Sequence, residues 1–217
     1  MRMPQINQLL TTPLTDLKVE VTSINQRKRV GILGGSFNPV HYAHLMMIDQ
    51  VYHQLGLDEV YLMPTNIPPH KEGKQTLDSK HRIAMLELAV KSFPHIGIET
   101  IEFERAEKSY TFETIKKLKE RHPEVDYYFI IGGDMVADLP NWYHIDELTQ
   151  LLHFVAIKRP GYESESAYPL IWVEIPQMDI SSTLIRQSIA LDDSVNFMLP
   201  ATVIDYIKKE GLYHDEV

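Results

Sequence analysis

One feature constrains this chain more than any other. Short apolar runs, several of them ending in glycine or proline, alternate with longer segments whose apolar residues recur at helical spacing. The alternation starts at "RVGILG" (29–34), which reads as a buried strand. "HYAHLMMIDQVYHQLG" (41–56) then has helical spacing and a glycine stop signal, and "EVYLMP" (59–64) closes a strand–helix–strand unit. A loop, "TNIPPHKEGKQTL", precedes a helix opening near Asp78. "IGIETIEF" (96–103), "DYYFIIGGD" (126–134), "HFVAIKR" (153–159) and "LIWVEIP" (170–176) read as further strands. "TFETIKKLKERHP" (111–123), "WYHIDELTQLL" (142–152), "SSTLIRQSIA" (181–190) and "ATVIDYIKKEGLY" (201–213) read as helices.

Strands and helices alternating at this spacing predict an α/β fold, a doubly wound and mainly parallel sheet covered on both faces, with C-terminal helices. In such sheets ligands bind beyond the carboxyl ends of the strands, where strand order reverses. The loops after residues 33, 64, 131 and 175 all follow strands and are expected to converge on that edge. Residues 1–27 are polar, weakly patterned and read as a flexible or loosely docked N-terminal extension to which no chemistry is assigned. Residues 28–217 read as a single domain.

Charge narrows the choice of ligand. With 30 acidic against 21 basic residues the net charge is −9, so the general field will not draw in nucleic acid or an anionic membrane. Any anionic ligand needs positive groups gathered locally. The chain has no cysteine, which removes disulfides, thiolate catalysis and cysteine metal sites and suits a reducing cytoplasm. No apolar run is long enough for a signal peptide or a membrane span. A homo-oligomer stays open.

Two stretches could carry chemistry. "GILGGSFNPVHYAHL" (31–45) matches neither common phosphate-loop pattern, yet it places Gly34 and Gly35 after a strand and His41 and His44 at the start of a helix. The glycines permit close approach of a ligand to backbone, or positive φ. Helix N–H groups and two imidazoles on one side of the helix favour an anion. A tight turn with two surface histidines, or a metal site, remain alternatives, although HxxH lacks the glutamate of HExxH. In "ISSTLIR" (180–186), Ser181 or Ser182 can cap a helix with Arg186 about one turn along, forming either a phosphate clamp or an ordinary N-cap with a solvated arginine.

Together these stretches resemble the GxFxPxHxGH and ISSTxIR motifs of the HIGH-type nucleotidyltransferases. "MPTNIPPHK" (63–71), "SYTFET" (109–114), "GGDMVADLPNWYHIDEL" (132–148) and "VIDYIKKEGLY" (203–213) narrow the resemblance to bacterial nicotinate-nucleotide adenylyltransferases. Three positions depart from the family pattern: Ala43 stands for glycine, Asn38 for a frequent aspartate, and Glu113 for aspartate.

The resemblance implies a Rossmann-like fold and adenylyl transfer from ATP to nicotinate mononucleotide, giving deamido-NAD and pyrophosphate without a covalent enzyme intermediate. It implies that Gly34, Gly35, Ser36 and Phe37 line the nucleotide, and that His41 and His44 contact the ATP phosphates. Ser181, Ser182, Thr183 and Arg186 would hold the β- and γ-phosphates. For the acceptor, Trp142 would stack on the pyridinium ring and Thr111 would receive the nicotinate carboxylate. Lys71 would reach the acceptor phosphate, and Asp134 a ribose hydroxyl. Mg²⁺ would arrive on the ATP phosphates, with no dedicated protein metal ligands. Related alternatives are a nicotinamide- or other acceptor-specific adenylyltransferase, and a nucleotide-binding regulatory protein without turnover.

Overall fold

A computed structural model describes residues 27–67, 77–104, 108–158 and 166–214. Six strands form one sheet: β1 (Lys28–Gly35), β2 (Glu59–Pro64), β3 (Ile96–Ile98), β4 (Val125–Gly132), β5 (Leu152–Ile157) and β6 (Leu170–Val173). Their order is β3-β2-β1-β4-β5-β6, and every pairing is parallel. The helices are α1 (Tyr42–Leu55), α2 (Ser79–Val90), α3 (Thr111–Arg121), α4 (Ile145–Leu151), α5 (Ser182–Ala190) and α6 (Ala201–Glu210).

Period-two alternation along the strands divides the apolar residues between two layers. Leu33, Leu62, Ile130 and Val155 face a core built with α1, α2, α5 and α6. Val30, Ile32, Phe129, Ile131 and Phe154 face a second core built with α3, α4 and a 3-10 helix, Gly133–Asn141. Local signals end the helices as their chemistry dictates. Gly56 closes α1 and Gly211 closes α6, each in the left-handed region that a residue without Cβ occupies at little cost. The Asp78 carboxylate caps α2 by accepting from the Lys80 N–H at 3.0 Å.

Two predicted elements differ. The strand expected over 96–103 stops at Ile98, and residues Ile101–Glu104 form a 3-10 helix. Glu99 turns the chain: its N–H donates to Leu62 on β2 while its carboxylate accepts from the Ile101 N–H at 2.8 Å. The helix expected over 142–152 begins at Ile145, because Trp142 is extended and His144 lies in the left-handed region. The preceding 3-10 helix has a prolyl residue, Pro140, near its end and no helical period to betray it.

Candidate functional site

The parallel sheet brings the carboxyl ends of its strands to one edge. Gly35 of β1 lies level with Pro64 of β2, and Gly132 of β4 with Ile157 of β5. Strand order reverses at β1, which β2 and β4 flank. The loops after β1, β2 and β4 therefore meet there as the sequence leads one to expect. The loop after β6 joins them, since Gln177 donates to the Lys158 carbonyl at the end of β5 at 3.0 Å.

The turn 36–41 is the centre of this edge. Gly34 and Gly35 are not at positive φ; their lack of side chains serves packing. A Cβ on Gly34 would stand 3.0 Å from the Phe129 ring, and one on Gly35 would stand 3.1 Å from the Phe37 ring. The positive φ falls instead on Phe37, at 45°, and its side chain is buried beneath the turn. The expectation that Phe37 lines the nucleotide is thereby restricted to its main chain. Its ring forms floor, edge-on to His44 with centroids 5.0 Å apart.

Four groups from elsewhere in the chain hold the turn. Arg82 of α2, 2% exposed, donates to the carbonyls of Ser36 and Thr65 at 2.9 Å each and to Leu77 at 3.1 Å. Burial pushes its guanidinium below the usual arginine range. Arg186 donates to the Asn38 carbonyl at 2.8 Å, and the Ser182 hydroxyl donates to the Pro39 carbonyl at 2.9 Å. The Tyr213 hydroxyl donates to Asn38 Oδ1 at 2.8 Å in a buried contact. An amide suits this position, since it accepts the same hydrogen bond as aspartate without burying a charge.

His41 is the N-cap of α1, 5% exposed, and His44 sits in the first turn. Their rings stack with centroids 3.7 Å apart. His44 Nδ1 accepts from the His41 backbone N–H at 3.3 Å. A neutral His44 in this arrangement carries its proton on Nε2, which makes that nitrogen the donor toward a ligand. Ala43, between the two, lines a shallow recess with Met46, Met47, Ile157 and residues 175–178. The methyl that departs from the family pattern thus lies on the wall of this recess.

Helix α5 brings the second motif against the first. Ser181 is its N-cap, accepting from the Leu184 N–H at 3.1 Å, and Thr183 is exposed. The contacts of Ser182 and Arg186 with Pro39 and Asn38 set the N-terminus of α5 beside that of α1. Two positive helix ends, two imidazoles and a guanidinium therefore share one small region of an acidic protein.

Three of the four expected acceptor residues fall among the described residues. Thr111 is the first residue of α3, with Tyr110 rather than itself as the N-cap. Asp134 is exposed in the first turn of the 3-10 helix, and a side chain on Gly132 would collide with its carboxylate. Trp142 is half-buried and meets Phe129 and Phe154 edge-to-face, with centroids at 6.0 and 5.7 Å. Lys71 lies outside the described residues.

Several residues escaped the sequence reading. Arg82 occupies the same helical stripe as Met85, Leu86 and Ala89, so a charge on an apolar face was the available signal. Glu102, 3% exposed, accepts from the Asn66 N–H at 3.2 Å and from the Thr114 hydroxyl at 3.4 Å, joining the loop after β2 to α3. Tyr110 and Tyr143 pack with centroids 4.6 Å apart and Phe112 stacks on His144 at 4.8 Å, walling the start of α3 with aromatic rings. No spacing rule marks either group.

A parallel sheet whose carboxyl edge carries paired helix N-termini and basic side chains has the make-up of a nucleotide-binding α/β protein. The cytidylyltransferase-like family model matches residues 32–188, from β1 into α5, and the chain belongs to that family. Within it, the chain belongs with the nicotinate-nucleotide adenylyltransferases. It is 58% identical over 201 residues to a protein of Enterococcus faecalis named as a probable member, covering 93% of this chain and 92% of the relative. A probable member from Streptococcus mutans is 55% identical over 205 residues, covering 94% and 98%. The solved nicotinic acid mononucleotide adenylyltransferase of Plasmodium falciparum, complexed with NaAD, has the same fold. Its TM-score is 0.74 at 24% identity, covering 86% of this chain and 97% of that one.

Proposed function

We propose that this enzyme transfers the adenylyl group of ATP to the phosphate of nicotinate mononucleotide, releasing pyrophosphate, as a step of NAD biosynthesis. An acceptor phosphate oxygen forms a bond to the α-phosphorus. The bond to the bridging oxygen breaks opposite to it, and its electron pair leaves with pyrophosphate. Such a transfer needs positioning and charge stabilisation more than covalent help.

The observation that carries this proposal is the bolting of α5 onto the 36–41 turn through Arg186 and Ser182. It supports a triphosphate laid between two helix N-termini, with Gly34, Gly35 and the Ser36 backbone beneath it. His44 Nε2 then donates to the α-phosphate, where charge develops, and His41 supports His44 by stacking and capping. Arg186, Ser181, Ser182 and Thr183 hold the β- and γ-phosphates, and the recess beside Ala43 seats the adenine. Trp142, Thr111, Asp134 and Lys71 face the acceptor, with the α3 N-terminus receiving the nicotinate carboxylate.

Mg²⁺ fits as part of the ATP substrate. Among the described residues, the one group of metal-ligating side chains, Asp49, His53 and His95, lies further along α1 and at the entry of β3, away from the α1 N-terminus, so the site's own chemistry suits a cation carried by phosphate oxygens. There it would neutralise phosphate charge.

Pyrophosphate release from purified protein with Mg·ATP tests the assignment. Fast release with nicotinate mononucleotide and slow release with the nicotinamide analogue is the expected outcome. Equal rates would remove the carboxylate assignment at α3, and no release with either would overturn the activity.

A further inference from the structure

The Asp49–His53–His95 group lies away from the nucleotide site and serves none of its chemistry. Asp49 and His53 are four residues apart on α1, so they project from the same face one turn apart. His95 comes from the turn that enters β3. His44 and His53 are separated by roughly 14 Å along the helix axis at 1.5 Å per residue. Because α1 runs back from the carboxyl edge of β1 and His95 precedes β3, the group sits at the opposite, amino edge of the sheet.

Its geometry is that of a metal half-shell. Asp49 Oδ1 is 3.0 Å from His95 Nε2 and 3.6 Å from His53 Nε2, and the donor atoms of all three residues lie within 4.8 Å of one another. Two ligands at about 2.05 Å from a tetrahedral Zn²⁺ stand ~3.3 Å apart, so two of the three separations bracket that value. His95 is held before any ion arrives. The His95 ring stacks on Tyr52, with centroids 4.4 Å apart and planes 26° from parallel. Its carbonyl accepts from the Val60 N–H at 3.3 Å, which ties this turn to β2. The His53 side chain is 63% exposed, so a fourth position opens to solvent.

We propose that Asp49, His53 and His95 bind a transition-metal dication of the Zn²⁺ class and clip the last turns of α1 to the entry of β3. Two imidazoles and one carboxylate match Zn²⁺, Co²⁺, Ni²⁺ or Cu²⁺, whereas Mg²⁺ and Ca²⁺ demand oxygen donors. The i,i+4 spacing on α1 sets His53 beside Asp49, and the hydrogen bond from His95 brings the third donor to the same carboxylate oxygen, so one ion can reach all three.

The test uses the full chain, stripped with a chelator and titrated with Zn²⁺ by calorimetry without nucleotide. One equivalent should bind and raise the melting temperature, and excess Mg²⁺ should not displace it. Co²⁺ in its place should give the visible absorption of a tetrahedral site. Asp49→Ala and the double variant His53→Gln/His95→Gln should weaken Zn²⁺ binding by at least roughly tenfold. Both should keep adenylyl transfer in Mg·ATP assays without added Zn²⁺, which shows that they fold. The double variant His41→Ala/His44→Ala should keep the Zn²⁺ equivalent. The proposal is overturned if wild type binds no stoichiometric Zn²⁺, or if the equivalent survives in His53→Gln/His95→Gln. Loss of the equivalent with His41 and His44 would also overturn it, since the ion would then belong to the nucleotide site.

Discussion

The Arg186 guanidinium donates to the main-chain carbonyl of Asn38 at 2.8 Å, across 148 residues of sequence. One nitrogen of the planar fork thus holds the turn in which His41 is embedded, while the group's charge remains beside the N-terminus of α5. Arg186→Ala should lower kcat by about 10²–10³ through lost charge stabilisation. Arg186→Lys should recover little of this, because an ammonium cannot span a carbonyl and a phosphate as a fork does. Steady-state kinetics with varied ATP checks both; near-wild-type activity of the lysine variant would remove the fork argument.

His44 is assigned to the α-phosphate through Nε2. His44→Ala should lose about 10²–10³ in kcat while its circular dichroism and melting profile stay near wild type. A folded His44→Ala enzyme with normal turnover would end that assignment.

Arg82 serves the site from below by satisfying three carbonyls with one buried guanidinium. Arg82→Met keeps much of the volume but leaves those acceptors without their donor. A loss of about 3 kcal/mol in urea unfolding is expected, together with a higher KM for ATP as the 36 and 65 loops loosen. Unchanged stability would mean that water replaces the guanidinium.

Trp142 sits half in the second core through Phe129 and Phe154. If it also stacks on the pyridinium, Trp142→Phe should raise the KM of the mononucleotide several-fold and leave that of ATP nearly unchanged. The stacking contributes about 1–2 kcal/mol when desolvated. An effect confined to ATP would place the ring elsewhere.

Glu104 provides the pH probe. Arg121 and Lys117 hydrogen-bond its carboxylate and hold its pKa at about 2, against an ordinary value of 4.5. Its folded pKa is depressed, so the stability it contributes is present above about pH 4.5 and is lost as pH falls toward 2. The contribution is small because these charges face solvent. Glu104→Gln should melt slightly below wild type at pH 7, with the gap closing as pH falls from about 4.5 toward 2; a gap independent of pH would show that the ion pairs contribute nothing.

The sequence carried the layered fold because local patterning and layering are the same physical fact here. Runs such as "VGILG" and "FIIG" can bury both faces only in a parallel sheet roofed by helices. The helix stop at Gly56 and a cap at Ser181 or Ser182 are equally legible, being properties of a few adjacent residues, and the structure places the cap on Ser181. Motif resemblance then linked residues 34–44 to 181–186. The short β3 and the 3-10 helix after β4 were not legible, since a carboxylate turning the chain at Glu99 and a left-handed His144 leave no period to read.

What the sequence determined by itself was the class of fold, the sheet edge where the loops gather and the two motifs that the proposed phosphate site uses. Tertiary structure alone decided how those residues are employed. It turned Gly34 and Gly35 into space for two aromatic rings, sent the Phe37 side chain into the core and gave the buried Arg82 three carbonyls to hold. The reason is physical. Periodicity and capping depend on neighbours along the chain, whereas a buried donor finds its acceptor, and a glycine its need to be small, only when distant segments pack.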